Sequence, residues 1–554
     1  MYDLIKSIFS YSSESPLIFT RYSFWIFYAV VLLGYSFLYK NPNRTIRAGY
    51  LFLFSLFFYY KSSGFFFFIL IISTITDYYI GKGIFNASKE ITKKLLIALS
   101  LIINLGLLVY FKYAYFFADS FNQFFGTEFQ VVNYLAQWAN EATGTHFRVD
   151  QILLPVGISF YTFQTISYSI DIYRGDLKPV KNLIDFGFFV SFFPQLVAGP
   201  IVRASQFIPQ MYEDFKLTKV EFGIAIFWIM NGLVKKIFIG DYIAVNFVDR
   251  VFGAPLHYTG FENLMALFGY SLQVYVDFSG YTDIAIGTAL LLGFRLPKNF
   301  DSPYKARNVS DFWKRWHISL SSWLKDYLYI PMGGNRRGSA FSYISLAVIL
   351  GFIVLISGNL WLVAVFGVLT LISAVLSHFF PGFRKGINTN INLILTMLIG
   401  GLWHGASWNF VIWGGLNGLG LIVYKFWRKV SPYEKSTAAF VTIWKIAFTF
   451  TFITFTRVFF RAENMTIVEE MMSQITGNMD LKVIPQVLTG YRNVFIIMLI
   501  GFIFHWLPYR TKEAYQQWFA KQKMGIQAVI FAIVIFVVYQ SISSEMQPFI
   551  YFQF

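Results

Sequence analysis

Gly400-Gly401-Leu402-Trp403-His404-Gly405-Ala406-Ser407-Trp408-Asn409 is the stretch that decides how this chain is read. It sets one histidine among tryptophans and glycines, between apolar runs at about 389–403 and 406–426. An ionisable side chain at bilayer depth is costly unless it faces protein or a water-filled cavity, which makes His404 a functional candidate by default. The glycines predict a turn between two helices with His404 at or near its tip. Trp403, Trp408 and Trp413 are placed to wall a pocket around the ring. The same pattern also suits a histidine that only hydrogen-bonds a neighbouring helix within an interfacial tryptophan belt.

The surrounding composition fixes the class. Hydrophobic residues make up 56% of 554 positions, aromatics 21% and charged residues 13%, and the mean hydropathy is +0.54. No water-soluble domain of this size has such a surface, so a polytopic membrane protein without an appended soluble domain is expected. About fifteen apolar runs recur along the chain, several of them shorter than the ~20 residues a spanning helix needs. Tilted, broken or re-entrant helices are therefore expected among them. The chain has no cysteine and its six histidines are dispersed, so neither disulfides nor a metal site are expected. The net charge is +16, but the basic residues punctuate the spans instead of gathering on a soluble face. That pattern orients a chain in a membrane and does not point to nucleic acid.

The loops containing Lys40, Arg44 and Arg47, and Lys82, Lys89, Lys93 and Lys94, are basic and read as cytoplasmic. Between 112 and 150, Lys112 and Arg148 stand against Asp119, Glu128, Glu141 and Asp150, so this reads as an outside loop. Residues 295–337 carry nine cations against three acids and return to the cytoplasm, whereas 462–491 is acidic and outside. The His404 hairpin runs from Arg384 and Lys385 to Lys425, Arg428 and Lys429. Its tip therefore lies deep in the membrane or toward the outer face.

Two further constellations carry chemistry. Along Asp311–Tyr327, Trp313, Trp316, Leu320, Trp323, Leu324 and Tyr327 recur at helical spacing, with Lys314, Arg315, Lys325 and Asp326 on other faces. The spacing predicts one amphipathic helix lying in the cytoplasmic interface. Its cations, with Arg336 and Arg337 in the loop Pro331–Gly338, either anchor the surface or hold anionic phosphates; the glycines do not form a P-loop. Along Tyr270–Asp283, Asp277 and Asp283 lie in an apolar stretch and must be paired or hydrogen-bonded. They orient a catalytic group or serve as polar glue between helices, and Lys235, Lys236 and Asp241 pose the same question.

Leu154–Phe163, Phe193–Arg203, the Asp277 cluster, Lys314-Arg315-Trp316-His317 and Gly401-Leu402-Trp403-His404-Gly405 together resemble the membrane-bound O-acyltransferase family, nearest the bacterial alginate O-acetyltransferase subunit I branch. The likeness is ordered along the chain and extends to Pro548–Phe554. It implies an all-α, polytopic membrane helical bundle with a central funnel or tunnel and interfacial or re-entrant helices, forming one domain over 1–554. It implies His404 and His317 as the catalytic pair, with His404 as general base and His317 orienting the donor or stabilising charge. Asp277, Trp403 and Asn409 would support them, and Lys314, Arg315, Arg336 and Arg337 would bind the donor. The chain departs from the family's pattern at 339–385, which reads as an inserted hydrophobic helix pair. The implied reaction moves an acetyl group from acetyl-CoA, a substrate and not a bound cofactor, to an extracytoplasmic polysaccharide or to a periplasmic SGNH-like acyltransferase partner. D-alanyl or peptidoglycan acyl transfer, a polytopic transporter and a membrane scaffold are the competing readings. A multi-pass protein of the bacterial cytoplasmic (inner) membrane is expected.

Overall fold

The computed structural model describes residues 9–12, 16–144, 148–541 and 549. Of the terminal segment 548–554 only Phe549 is therefore described. Among the described residues the chain is helical with no strand. Seven helices are long and apolar enough to cross a membrane, or up to nine if each of two sharply bent pairs is one span. The polytopic class expected from composition and the all-α bundle implied by the resemblance are observed. Some apolar runs fuse: 48–60 and 64–80 belong to one continuous stretch, Arg44–Asn86, with a 3-10 turn at Gly64–Phe66.

The axis of the core is the 32-residue helix Gly260–Leu291, about 48 Å long. It crosses the helix Lys219–Leu233 where both carry glycine: a Cβ on Gly232 would stand 2.5 Å from the Gly280 carbonyl oxygen. Small residues let two membrane helices approach this closely, and the approach brings their polar side chains into reach. Lys235 pairs with Asp283 at 2.6 Å, Asn231 donates to the same carboxylate, and Lys236 pairs with both Asp277 and Asp241. The π-helical turns over Val234–Asp241 lie where these charges meet. The carboxylates singled out in the sequence are thus neutralised by the neighbouring helix.

A second glycine-mediated crossing builds the hairpin. The helices Pro381–His404 and Trp408–Val430 are joined by three residues. A Cβ on Gly401 would meet the Phe410 carbonyl at 2.3 Å, and one on Gly414 would meet that of Met397 at 2.3 Å. His404 is the last residue of its helix, at the tip, as its glycines predict.

The segment 339–385 contains two apolar helices, Ala340–Ser357 and Trp361–Phe379, almost wholly exposed on the bundle's margin. They attach to the hairpin through a few contacts: Ser342 Oγ donates to Asn392 at 2.8 Å, Tyr343 to Asn388 at 2.8 Å, and Phe352 stacks near Trp408.

Candidate active site

The predicted single amphipathic helix over 311–327 does not form. It breaks into Val309–Arg315 and Ile318–Leu324, followed by a π-helical turn over Lys325–Tyr329. His317 at the break is fully buried, with left-handed backbone angles of φ 45° and ψ 56°. Among the described residues only Ser302 and His317 are non-glycine residues with positive φ. Such a conformation is uncommon outside glycine and persists only when the surroundings enforce it. Here they do: the Ile318 N–H donates to the Asn299 carbonyl, and the Ser319 N–H and hydroxyl both donate to the Asn299 side chain. The sequence pattern missed the break because helical spacing of aromatics continues across it. Trp316 and Trp323 are core side chains, not surface anchors.

The break turns His317 toward His404. Their ring centroids lie 6.2 Å apart, close enough for a small reacting group to bear on both. Aromatic rings enclose the pair: Phe278 and Trp403 flank His317 at 4.6 and 5.8 Å, while Trp403, Trp413 and Phe460 flank His404 at 5.0, 5.1 and 5.2 Å. Trp403 also packs on Phe160 and Phe163 of the helix Ile158–Arg174, and Phe163 stacks flat on Trp323 at 3.7 Å. Phe549 packs on Phe278 and Tyr281 behind this shell.

A helix ending inside a bundle must satisfy its last carbonyls. Around His404 that is done by a residue the sequence reading placed in an outside loop. Lys112 lies not in a loop but in π-helical turns, Val109–Tyr113, within the continuous helical stretch Glu90–Phe125. Its ammonium donates to the carbonyls of Trp403 at 2.6 Å and His404 at 3.2 Å, and the Tyr113 hydroxyl donates to that of Leu402 at 2.7 Å. A cation at a helix C-terminus is favourable, and a π-bulge often marks a functional position. The available signal was a lysine between aromatics at the edge of an apolar run, Phe111-Lys112-Tyr113.

The remaining expected residues are spread more widely. Asp277 is engaged with Lys236, and its sequence neighbour Phe278 is what meets His317. Asn409 donates to the Ala462 carbonyl at 2.9 Å, tying the hairpin to the end of the helix Ala439–Arg461. Arg315 is held by Asp311 at 2.9 Å and by Asp301 at 3.7 Å. Lys314, Arg336 and Arg337 are exposed. The loop of Arg336 and Arg337 is fastened to the His404 helix, because the Asn392 amide donates to the carbonyls of Gly334 and Arg337, both at 3.0 Å.

The profile of the membrane-bound O-acyltransferase family matches residues 72–373. The chain is 37% identical over 404 residues to a probable alginate O-acetylase of Pseudomonas putida, covering 72% of this chain and 68% of that one. It is 33% identical over 506 residues to a peptidoglycan O-acetyltransferase of Helicobacter pylori, covering 86% and 82%. It is 28% identical over 306 residues to a teichoic acid D-alanyltransferase of Bacillus subtilis, covering 54% and 67%. The family profile spans more than half of the chain, the first two relatives align over most of it, and all three are named for acyl transfer, to alginate, peptidoglycan or teichoic acid; the chain belongs to the membrane-bound O-acyltransferase family and is an O-acyltransferase.

Proposed function

We propose that this protein transfers an acetyl group from cytoplasmic acetyl-CoA, across the inner membrane, to an extracytoplasmic polysaccharide or to a periplasmic transfer partner. The observation that carries the reading is the enclosed His317–His404 pair, with His404 on the rigid end of a glycine-closed hairpin. A hydroxyl is a weak nucleophile until a base takes its proton as it attacks. His404 accepts the acceptor hydroxyl's proton while the oxygen bonds to the thioester carbonyl carbon. The C–S bond then breaks, and the proton passes to the departing thiolate. His317 orients the thioester or stabilises negative charge on the carbonyl oxygen, and the surrounding rings exclude water that would hydrolyse it.

The donor reading rests on the loop bearing Arg336 and Arg337, with Lys314 nearby in sequence. Asn392, which fastens that loop, lies twelve residues before His404 on one helix, about 18 Å along its axis. That is of the order of an extended pantetheine arm. Arg315 contributes by holding the turn before His317. Asp277 supports the wall from which Phe278 meets His317. On the acceptor, the longer coverage of the peptidoglycan relative keeps a cell-wall glycan beside an alginate-like polymer as the second reading.

The test is transfer from radiolabelled acetyl-CoA in membranes containing equal amounts of protein. His404→Ala is expected to insert normally and to lose about 10²- to 10⁴-fold in rate. Retention of roughly a third or more of wild-type activity would remove His404 from the role of base.

A further inference from the structure

Arg457 is buried at 4% exposure on the helix Ala439–Arg461, one turn before Phe460, the residue that packs on His404. Its guanidinium lies 4.3 Å over the ring of Trp316, the residue immediately before His317, with Tyr304 and Phe312 completing an aromatic box. Arg457 is thus linked to each histidine through one residue, to His404 through Phe460 one turn on and to His317 through its sequence neighbour Trp316. Among the described residues no carboxylate lies within ion-pair distance of it. Lys235 and Lys236, also buried among these helices, each have at least one.

Arg457 makes two hydrogen bonds, both from Nη1, to the Tyr304 hydroxyl and to the Ser271 carbonyl. A guanidinium carries five N–H donors in a planar fork, so the Nη2 and Nε edge, the edge that grips a carboxylate or phosphate bidentately, is uncommitted. Burying a cation without a counter-charge is costly, and inside a membrane it marks a functional site by default. We infer that Arg457 is the anchor for a carboxylate carried by the acyl acceptor.

Arg457 lies one turn to the donor side of the Phe460–His404 contact, so it is distance from the reacting carbon that favours the acceptor over the donor's phosphates. The guanidinium is about one helical turn, near 5 Å along the axis, from the level of the Phe460–His404 contact. The phosphates of a CoA ester lie at the far end of the pantetheine arm from the reacting carbon, whereas the acid group of a uronic acid lies on the same sugar as its hydroxyls. The inference rests on the acyl-transfer reading for its purpose but not for its measurement.

The experiment uses full-length protein in nanodiscs and an oligouronate probe in two forms, free acid and methyl ester, with equilibrium binding of each and of acetyl-CoA measured separately from transfer. Wild type is expected to prefer the free acid. Arg457→Gln should weaken its binding by about 10- to 100-fold while leaving the ester and acetyl-CoA unchanged. Arg457→Lys should retain part of the preference, because the charge stays and the fork is lost. If Arg457→Gln weakens acetyl-CoA and spares the oligouronate, the anion is the donor's and the inference is overturned. If all three ligands bind alike to wild type and both variants, Arg457 only braces Trp316 and the inference is equally overturned. Loss of transfer with this binding pattern intact would count against the acyl-transfer reading alone.

Discussion

Two walls of the bundle carry charge inward and treat it differently. On the spans Lys219–Gly253 and Gly260–Leu291, both inward lysines meet carboxylates: Lys235 with Asp283, Lys236 with Asp277 and Asp241. On the helices Glu90–Phe125 and Ala439–Arg461, Lys112 meets helix carbonyls and Arg457 meets a hydroxyl, a carbonyl and rings, with no carboxylate on either among the described residues. The first arrangement neutralises charge and fixes two helices against each other. The second leaves positive charge next to the histidine pair, where the proposed acyl-transfer intermediate and anionic acceptor would use it. The difference separates charges paired within the scaffold from charges that the proposed chemistry could use.

The comparison breaks most severely at Lys236. Lys236→Met strands Asp277 and Asp241 in the core, and removing one partner of a buried pair costs about 3–5 kcal/mol. The variant should be recovered in low yield and unfold well below wild type in a detergent thermal-shift assay. Adding Asp277→Asn should restore part of the loss. A single variant as stable as wild type would show that this wall is not held by its ion pairs.

Lys112→Met should behave in the opposite way. It strands no carboxylate and loses charge-assisted hydrogen bonds to two carbonyls, a stability loss of about 1.5–3 kcal/mol. Because those carbonyls end the helix that presents His404, turnover should fall about 10- to 100-fold with KM little changed. Lys112→Arg, which keeps donors and charge, should recover a substantial part of the rate. An unchanged kcat in Lys112→Met would show that the cap positions nothing.

This contrast also explains what the sequence made legible. The apolar runs, the glycine turn and the costly histidine at its tip follow from local patterns, and all appear in the fold. His317 was reached through family resemblance, yet its setting was misread: a left-handed residue within an otherwise helical repeat depends on Asn299, eighteen residues away. Lys112 was assigned by counting loop charges, a method that cannot tell a loop cation from one drawn into the bundle by another helix's free carbonyls. Arg457 was passed over inside an apolar run, although the rule that flagged His404, an ionisable residue between hydrophobic neighbours, applies equally to Phe455-Thr456-Arg457-Val458. Pairing across the bundle, which decides whether an inward charge is neutralised, is written in no local pattern.

The smallest expected effect sharpens the comparison from outside. Arg336 and Arg337 are exposed, so their attraction for donor phosphates is screened, each contributing about 0–1 kcal/mol. Replacing both with Gln should raise the KM for acetyl-CoA by no more than about 30-fold and leave kcat unchanged. The difference between wild type and variant should shrink as salt rises from about 0.01 to 1 M, over which the screening length contracts from about 30 to 3 Å. The Arg457→Gln defect should persist across the same range, because a buried guanidinium is shielded from counter-ions by the protein around it. If the Arg336 and Arg337 variant binds donor like wild type at low salt, that loop sets orientation in the membrane only and the donor phosphates are held elsewhere. If its defect is salt-independent, the loop closes over the donor, and the line between screened and enclosed cations must be redrawn to include it.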